Sequence, residues 1–511
     1  MQNTLSTFLL TQQKQMAETL LNPFAFQALI SIILLITITK WLSKSTKSKN
    51  SPPSPPRLPI LGHLHRLSLL PHHDLQSMAR NHGPVMLIHF GSVPTLIASS
   101  AAAAAEIMKT HDLAFADRPD SSLFRRLLYD NKDVSVSPYG EYWRQLKSIC
   151  VVQLLSNKRV QSFHSVRAEE TEILIGKIGG KAECVDLSRM FTQLTNDVVC
   201  RSAIGRKYGD GGDGERFLSI LREFLEVLST ISIGDFVPSL SWIGRFNGLD
   251  KRVDRVANEI DEFLESVIRE RLDNPAERVV AGENFLDILL DIYRNNSGGV
   301  SIDRDSIKAI ILDVFAAGTD TTATVLEWAM SELLRRPVIL KRLQTEVREV
   351  AEDSHNITEN DIERMHFLKA VMKETLRLHT PIPLLVPRVA REDVKIMGYD
   401  VAKGTMVMTN AWAIGRDPSS WDEPESFNPD RFLNSSVDYK GVDFELIPFG
   451  AGRRGCPGTA FAMATNEFVL ANLVHRFDWK LPNNCGELDM SERPGVAIRR
   501  RVPLVAVAVQ C

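Results

Sequence analysis

Hydrophobic and polar positions fall into three regimes along the chain. The first is an apolar block at residues 20–42, which contains FAFQALISIILLITITKWL behind a mostly polar tail at residues 1–19. Its length is about what a helix needs to cross a bilayer. A cleaved signal peptide shares this hydropathy, but the block is long and carries no small-x-small cleavage site. Lys40, Lys44, Lys47 and Lys49 follow at once, whereas the tail holds only Lys14 and Glu18. That asymmetry predicts a retained single-pass anchor with the remainder in the cytosol, and Trp41 suits an interfacial position. The second regime, within residues 43–62, is SPPSPPRLP, whose five prolines favour a semi-rigid extended spacer or are simply linker composition.

The third regime, residues 63–511, has no further linker and reads as one domain. Short β-like runs (VMLIHF, PTLIAS and VKIMGYDV) lie near its start and past its middle. Helical periodicity covers residues 101–109, 160–176, 215–228, 251–272 and 301–334. The prediction is a mainly α fold with small β-sheets. Residues 301–334 are apolar on nearly every face, as expected of a helix through the domain centre. Its middle, AAGTDTT at residues 316–322, is costly there, since Gly318 alone weakens a helix by about 1 kcal/mol relative to Ala. Either the hydroxyls bond back to the helix, or a local opening beside a reaction centre holds water and a proton path. In HFLKAVMKETLRLH, Leu368, Val371, Met372, Thr375 and Leu378 share a face. Glu374 and Arg377, three apart, are neighbours on the helix surface.

Composition narrows the function. The 511 residues are 44% hydrophobic with net charge −3, which supplies a large core and no polyanion-binding surface; no nucleic-acid partner is implied. Six scattered cysteines without a CxxC pair suit a reducing compartment. One of them, Cys456, sits in PFGAGRRGCPG, a loop with four glycines and two arginines.

Taken together, four features resemble the cytochrome P-450 haem-thiolate monooxygenases. Phe449-x-x-Gly452-x-Arg454-x-Cys456-x-Gly458 matches the haem-binding loop at each defining position. The run from Ala317 to Thr322 matches the oxygen-activation motif, and Glu374-x-x-Arg377 the ExxR motif. Phe427, Pro429, Arg431 and Phe432 match the PERF region, with Asp430 where Glu is common. Order and spacing agree over essentially the whole chain. FADRPDSS and SPYGEYWRQLKSIC strengthen a closer likeness to the plant microsomal A-type group of specialised metabolism.

The resemblance implies the P-450 fold, haem b (iron protoporphyrin IX) and residues 63–511 as the haem-binding catalytic domain. It makes Cys456 the iron ligand as a thiolate, its pKa lowered by metal, by backbone N–H groups and by the following helix. Gly452, Gly455 and Gly458 allow close approach, and Phe449 packs beside the sulfur. Arg118, Trp143, Lys147, Arg388 and Arg454 are implied propionate partners, with Lys147 where many relatives carry Arg. Asp320 and Thr321 are the implied catalytic pair, moving protons to oxygen. Glu374, Arg377 and Arg431 are an implied buried structural network. Arg453 has no assignment.

Electrons are implied to come from an NADPH-dependent flavin reductase, because no flavin or nicotinamide fingerprint occurs in the chain. The implied location is the endoplasmic reticulum membrane. Phe124, Leu127, Ala317, Ile382, Leu384 and Val386 are the implied pocket residues, mostly apolar, and fit a small lipophilic substrate. A terpenoid ranks before an alkaloid or phenylpropanoid. Residues 234–243, GDFVPSLSWI, resemble the loop at the membrane entrance. The competing functions are a haem-thiolate isomerase or dehydratase needing no external electrons, and a non-enzymatic haem carrier or sensor. The first often departs from the pattern at the distal Thr or the Cys loop; the second would leave Asp320 and Thr321 idle.

Overall fold

The computed structural model describes residues 23–43, 50–180, 184–207, 212–230, 232–273, 283–295, 302–352, 354, 356–482 and 486–511. The tail at residues 1–19 and Lys44, Lys47 and Lys49 lie outside them. The apolar block forms a helix, Pro23–Ser43, of 21 residues. At 1.5 Å per residue it is about 31 Å long, against a hydrocarbon core of roughly 30 Å. Its side chains from 26 to 36 are exposed.

Part of the proline-rich segment belongs to the folded domain. The Leu87 N–H donates to Pro53 O at 2.8 Å and the Asp400 N–H to Asn50 O at 2.9 Å. His63 links Pro55 O, 2.9 Å away, to the His89 N–H, also at 2.9 Å. Proline is tolerated at this sheet edge because it has no N–H to lose. The spacer is therefore docked from residue 50 onward.

The main sheet runs Val85–Phe90, Val93–Ala98, Met406–Thr409, Arg388–Val389 in spatial order. Val93–Ala98 pairs in parallel with Met406–Thr409, and Arg388–Val389 closes the edge antiparallel. That pairing carries Arg388 to the flank of the helical core. A second sheet joins Val185–Asp186, Val505–Gln510 and Phe477–Lys480, tying the C-terminus to the centre of the chain.

Helices form the remainder around one large apolar cluster, with three smaller clusters beside it. The helix Arg304–Arg335 runs through the middle, capped at its start by the Asp303 side chain. It is apolar enough to span a membrane, yet most of it is buried against protein. The central helix packs chiefly on Leu187–Ile204. A Cβ on Gly318 would stand 3.0 Å from Val199, so the glycine permits this close crossing. Across the same contact Thr195 Oγ1 donates to Thr319 O at 2.9 Å.

Candidate active site

Burial along the central helix locates a cleft. Residues 306–312 and 322–334 are all buried, whereas seven of the nine between them have accessible surface, with Ala317 exposed. A helix buried on both flanks and accessible in its middle borders an internal space. Cys456 is likewise accessible although it lies deep in the protein. The turn at residues 134–137 joins the two sides. The Val134 N–H donates to Asp313 Oδ2 at 2.7 Å, and Val134 O accepts Trp143 Nε1–H at 3.0 Å. Ser137 O accepts from Arg454 Nη2 at 2.6 Å.

The cysteine loop is shaped by its own backbone. The Cys456 N–H donates to Phe449 O at 2.9 Å, and the Gly458 N–H points at Cys456 Sγ, 3.3 Å away. Thr459–Arg476 starts there, so the positive helix end faces the sulfur. Phe449 packs edge-on against Tyr439 at 5.7 Å. Of the three glycines expected to matter, Gly452 is the one that must be glycine. Its φ is +66°, and a Cβ would lie 2.3 Å from Met108 O. Gly455 has φ −59° and Gly458 φ −87°, which any residue adopts. Gly452→Ala is expected to cost about 1–3 kcal/mol and to lower haem retention, checked by thermal melting with the haem-to-protein absorbance ratio.

Burial pushes the Cys456 thiol up, while the Gly458 N–H, the Lys147 charge and the Thr459 hydroxyl pull it back. The net direction stays upward. For the bare thiol, burial outweighs loop and helix, so the expected thiolate depends on the third support named for it, the metal.

Four cations surround the cleft. Arg118 donates to Ser135 O, Val386 O and Pro387 O at 2.7–2.8 Å. Arg454 donates to Ala116 O at 2.7 Å and lies over the Trp143 ring at 4.0 Å. Its Nη1 is buried with no hydrogen-bond partner. Arg388 pairs with Asp112 at 3.0 Å and donates to Ala451 O at 2.7 Å. Lys147 donates to Gly455 O beside the sulfur. Burial, then repulsion by Arg454 and Arg388, depresses Arg118 well below the usual arginine value. Burial alone lowers Arg388, and together with Arg388 it takes Arg454 down to about 10.

Such a cluster calls for anions, and a group with one metal and two carboxylates fits it: sulfur for iron, arginines for propionates. Trp143 differs from the others, since its indole N–H is already committed to Val134 O. Arg453 also contacts Asp112, through its backbone N–H at 3.1 Å and its Nε at 3.5 Å.

On the opposite side the helix is unbroken through AAGTDTT. The Thr321 hydroxyl donates to Ala317 O at 2.6 Å, the back-bonded geometry, so no opening interrupts the ladder. The Asp320 carboxylate pairs with Arg499, which also donates to Thr192 Oγ1 at 2.9 Å. The sequence did not single out Arg499, one of three consecutive arginines. Asp313 was missed too, although it is the lone acid in an apolar run.

Of the implied pocket residues, Ala317 is exposed and Val386 is 36% exposed. Phe124, Ile382 and Leu384 are half-buried, and Leu127 is enclosed in the large core.

Glu374, Arg377 and Arg431 form a closed cluster behind the site. Arg377 holds both Glu374 oxygens, at 2.6 and 2.8 Å, and donates to Gly415 O, Pro424 O and Ser426 O. Arg431 Nε and the Asn428 N–H meet Glu374 Oε1 at 3.1 and 2.7 Å.

An accessible cysteine facing buried arginines beside a central helix is the architecture of a haem-thiolate enzyme. The chain belongs to the cytochrome P-450 family, whose model matches residues 52–505. Cytochrome P-450 71A8 of Mentha piperita is 68% identical, over 97% of this chain and 98% of its own. The (+)-menthofuran synthase of the same plant is 48% identical, over 88% and 91%. A zebra fish cytochrome P-450 solved with abiraterone superposes with TM-score 0.75 at 25% identity, covering 87% of this chain and 100% of its own. The chain is thus a P-450 monooxygenase, and the family's haem iron is its cofactor.

Proposed function

We propose that this protein inserts one oxygen atom from O2 into a small lipophilic plant metabolite, as a hydroxyl or epoxide, with electrons from NADPH through a flavin reductase. The observation carrying this reading is the pairing of the Cys456 loop with the Ala317–Thr321 face across one cleft. When bound, the iron supplies activation of dioxygen. Cys456 would hold the iron as a thiolate donor. Arg118, Arg388, Arg454 and Lys147 hold the propionates, and Phe449 restricts water at the sulfur. Thr321, whose hydroxyl rests on Ala317 O, would offer a hydrogen bond into the cleft, and Asp320, tethered by Arg499, would move protons along the helix face. Glu374, Arg377 and Arg431 fix the loop that carries the cysteine.

A terpenoid is our first choice of substrate, ahead of an alkaloid or phenylpropanoid. Its support is the apolar lining and the menthofuran synthase at 48% identity. The deciding experiment incubates membranes containing this chain and a flavin reductase with plant terpenoid, alkaloid and phenolic extracts. NADPH-dependent product supports the reading; turnover without NADPH establishes the isomerase or dehydratase alternative. Thr321→Ala is expected to uncouple the reaction, diverting reducing equivalents to peroxide. Peroxide measured per NADPH oxidised checks this.

The domain organisation we propose is an anchor at residues 20–42, a docked proline segment and a cytosolic catalytic domain at the endoplasmic reticulum. Exposed apolar side chains support contact with lipid. Trp242 and Phe246, 52% and 82% exposed, stack edge-on at 5.6 Å. Leu61 O accepts the Gly91 N–H and Phe236 O the Ser92 N–H, so the proline segment and residues 233–246 meet at one corner. Brominated lipid in vesicles is expected to quench a fraction of the emission that disappears in Trp242→Phe.

A further inference from the structure

Two carboxylates beside the cleft have no counter-ion. Asp133 is 0% exposed, and its Oδ2 accepts the Ser135 and Val136 N–H groups at 3.0 and 2.9 Å and the Ser135 hydroxyl. Its Oδ1 is buried with no hydrogen-bond partner. Asp313, on the central helix, holds the same turn through the Val134 N–H at 2.7 Å. Neither forms an ion pair among the described residues. A sealed carboxylate and a half-buried one gripping the same turn carry a desolvation and repulsion cost if both are charged.

We infer that Asp133 and Asp313 share one proton at neutral pH, and that Asp313 stores it for delivery along the Ala317–Thr321 face of the cleft. Position supports the second half. Asp313 is one turn from Ala317 and two from Asp320, on one helix face, and it borders the accessible stretch, whereas Asp133 is sealed. Asp320 is tied to Arg499 and so serves as a relay rather than a store. The groups facing the pair from the packed elements are Arg118, Arg454 and Tyr142 on the Asp133 side and Cys150 on the Asp313 side. The arginines favour charge on Asp133, which leaves the proton on Asp313. Burial, reinforced by Asp133, raises Asp313 well above the carboxylate range in agreement with this. Asp313 loses the proton to the cleft and regains it from solvent, with no net consumption by the pair.

Proton sharing is a property of the folded chain; delivery rests on the monooxygenase reading. The test uses haem-loaded full-length protein, with Asp313→Asn, Asp133→Asn and Asp313→Glu. A carboxyl whose folded-state pKa is raised stabilises below its unfolded value of about 4 and loses that contribution as pH rises through the folded value. Wild type is therefore expected to lose melting temperature from mildly acidic to mildly alkaline buffer more steeply than either Asn variant. An infrared carboxyl band absent from Asp313→Asn accompanies this.

With the flavin reductase and no added substrate, Asp313→Asn is expected to slow NADPH oxidation on the order of 100-fold and to raise its solvent deuterium isotope effect. Asp313→Glu restores both. An unchanged pH slope in both Asn variants overturns the shared proton. A changed slope with unchanged rate and isotope effect overturns delivery, as does a wild type that oxidises no NADPH. Should Asp313→Asn not fold, Asp133→Asn and Asp313→Glu decide the same two points.

Discussion

Cys456→Ser is expected to give a folded protein that loses the red-shifted carbon monoxide difference band and all NADPH-dependent turnover. The sulfur accepts the Gly458 N–H at 3.3 Å, which a serine oxygen can also do, and the turn itself is closed by the Cys456 N–H on Phe449 O at 2.9 Å and by Gly452 at φ +66°. What disappears is the proposed donor to iron. A hydroxyl in that enclosed site is far harder to deprotonate than a thiol, and it pushes less electron density toward O–O cleavage. The difference spectrum of freshly prepared protein checks ligation, and product per NADPH checks chemistry. A retained band would place the iron ligand elsewhere.

Arg377→Ala is expected to destabilise the fold by about 3–5 kcal/mol, because it strands a buried carboxylate. Glu374 and Arg377 are both 0% exposed, and the guanidinium also satisfies three backbone carbonyls on residues 415–426. Its removal uncovers a charge and loosens the segment leading to the cysteine loop. Arg431→Ala should cost less, about 1.5–3 kcal/mol, the scale of one hydrogen bond to a charged group. Arg431 meets Glu374 once, at 3.1 Å, and the Asn428 N–H stays on the same oxygen. Urea midpoints of the holoproteins test the ranking, and equal losses would refute it.

Much of this was legible in the sequence because the chemistry is concentrated in short runs. PFGAGRRGCPG holds the proposed ligand and the one glycine its turn requires, Gly452, within eleven residues, and helical periodicity marked the central helix. Local pattern alone could not show what separate segments do together. By spacing alone Glu374 and Arg377 are only neighbours on a helix surface; residues 415–431 folding over them supply the burial. Arg499 lies in a run of three arginines whose strand pairing picks the one that reaches Asp320. Asp133 and Asp313 are 180 positions apart by numbering, and one turn brings them together. The setting of Cys456 has the same character: a sequence shows the donors around a sulfur but not how far burial opposes them.

The arginines around the cleft also make the domain's assembly conditional. Arg118, Arg388 and Arg454 converge under cover, supported mainly by backbone carbonyls, and Asp112 is divided between Arg388 and Arg453. Like charges so placed resist closure until negative groups arrive between them. A bound group whose carboxylates sit between these arginines would therefore stabilise their convergence. By mass action, a ligand that binds only the closed form sets the population that survives proteases. The folded fraction of this enzyme is accordingly expected to rise with haem supply.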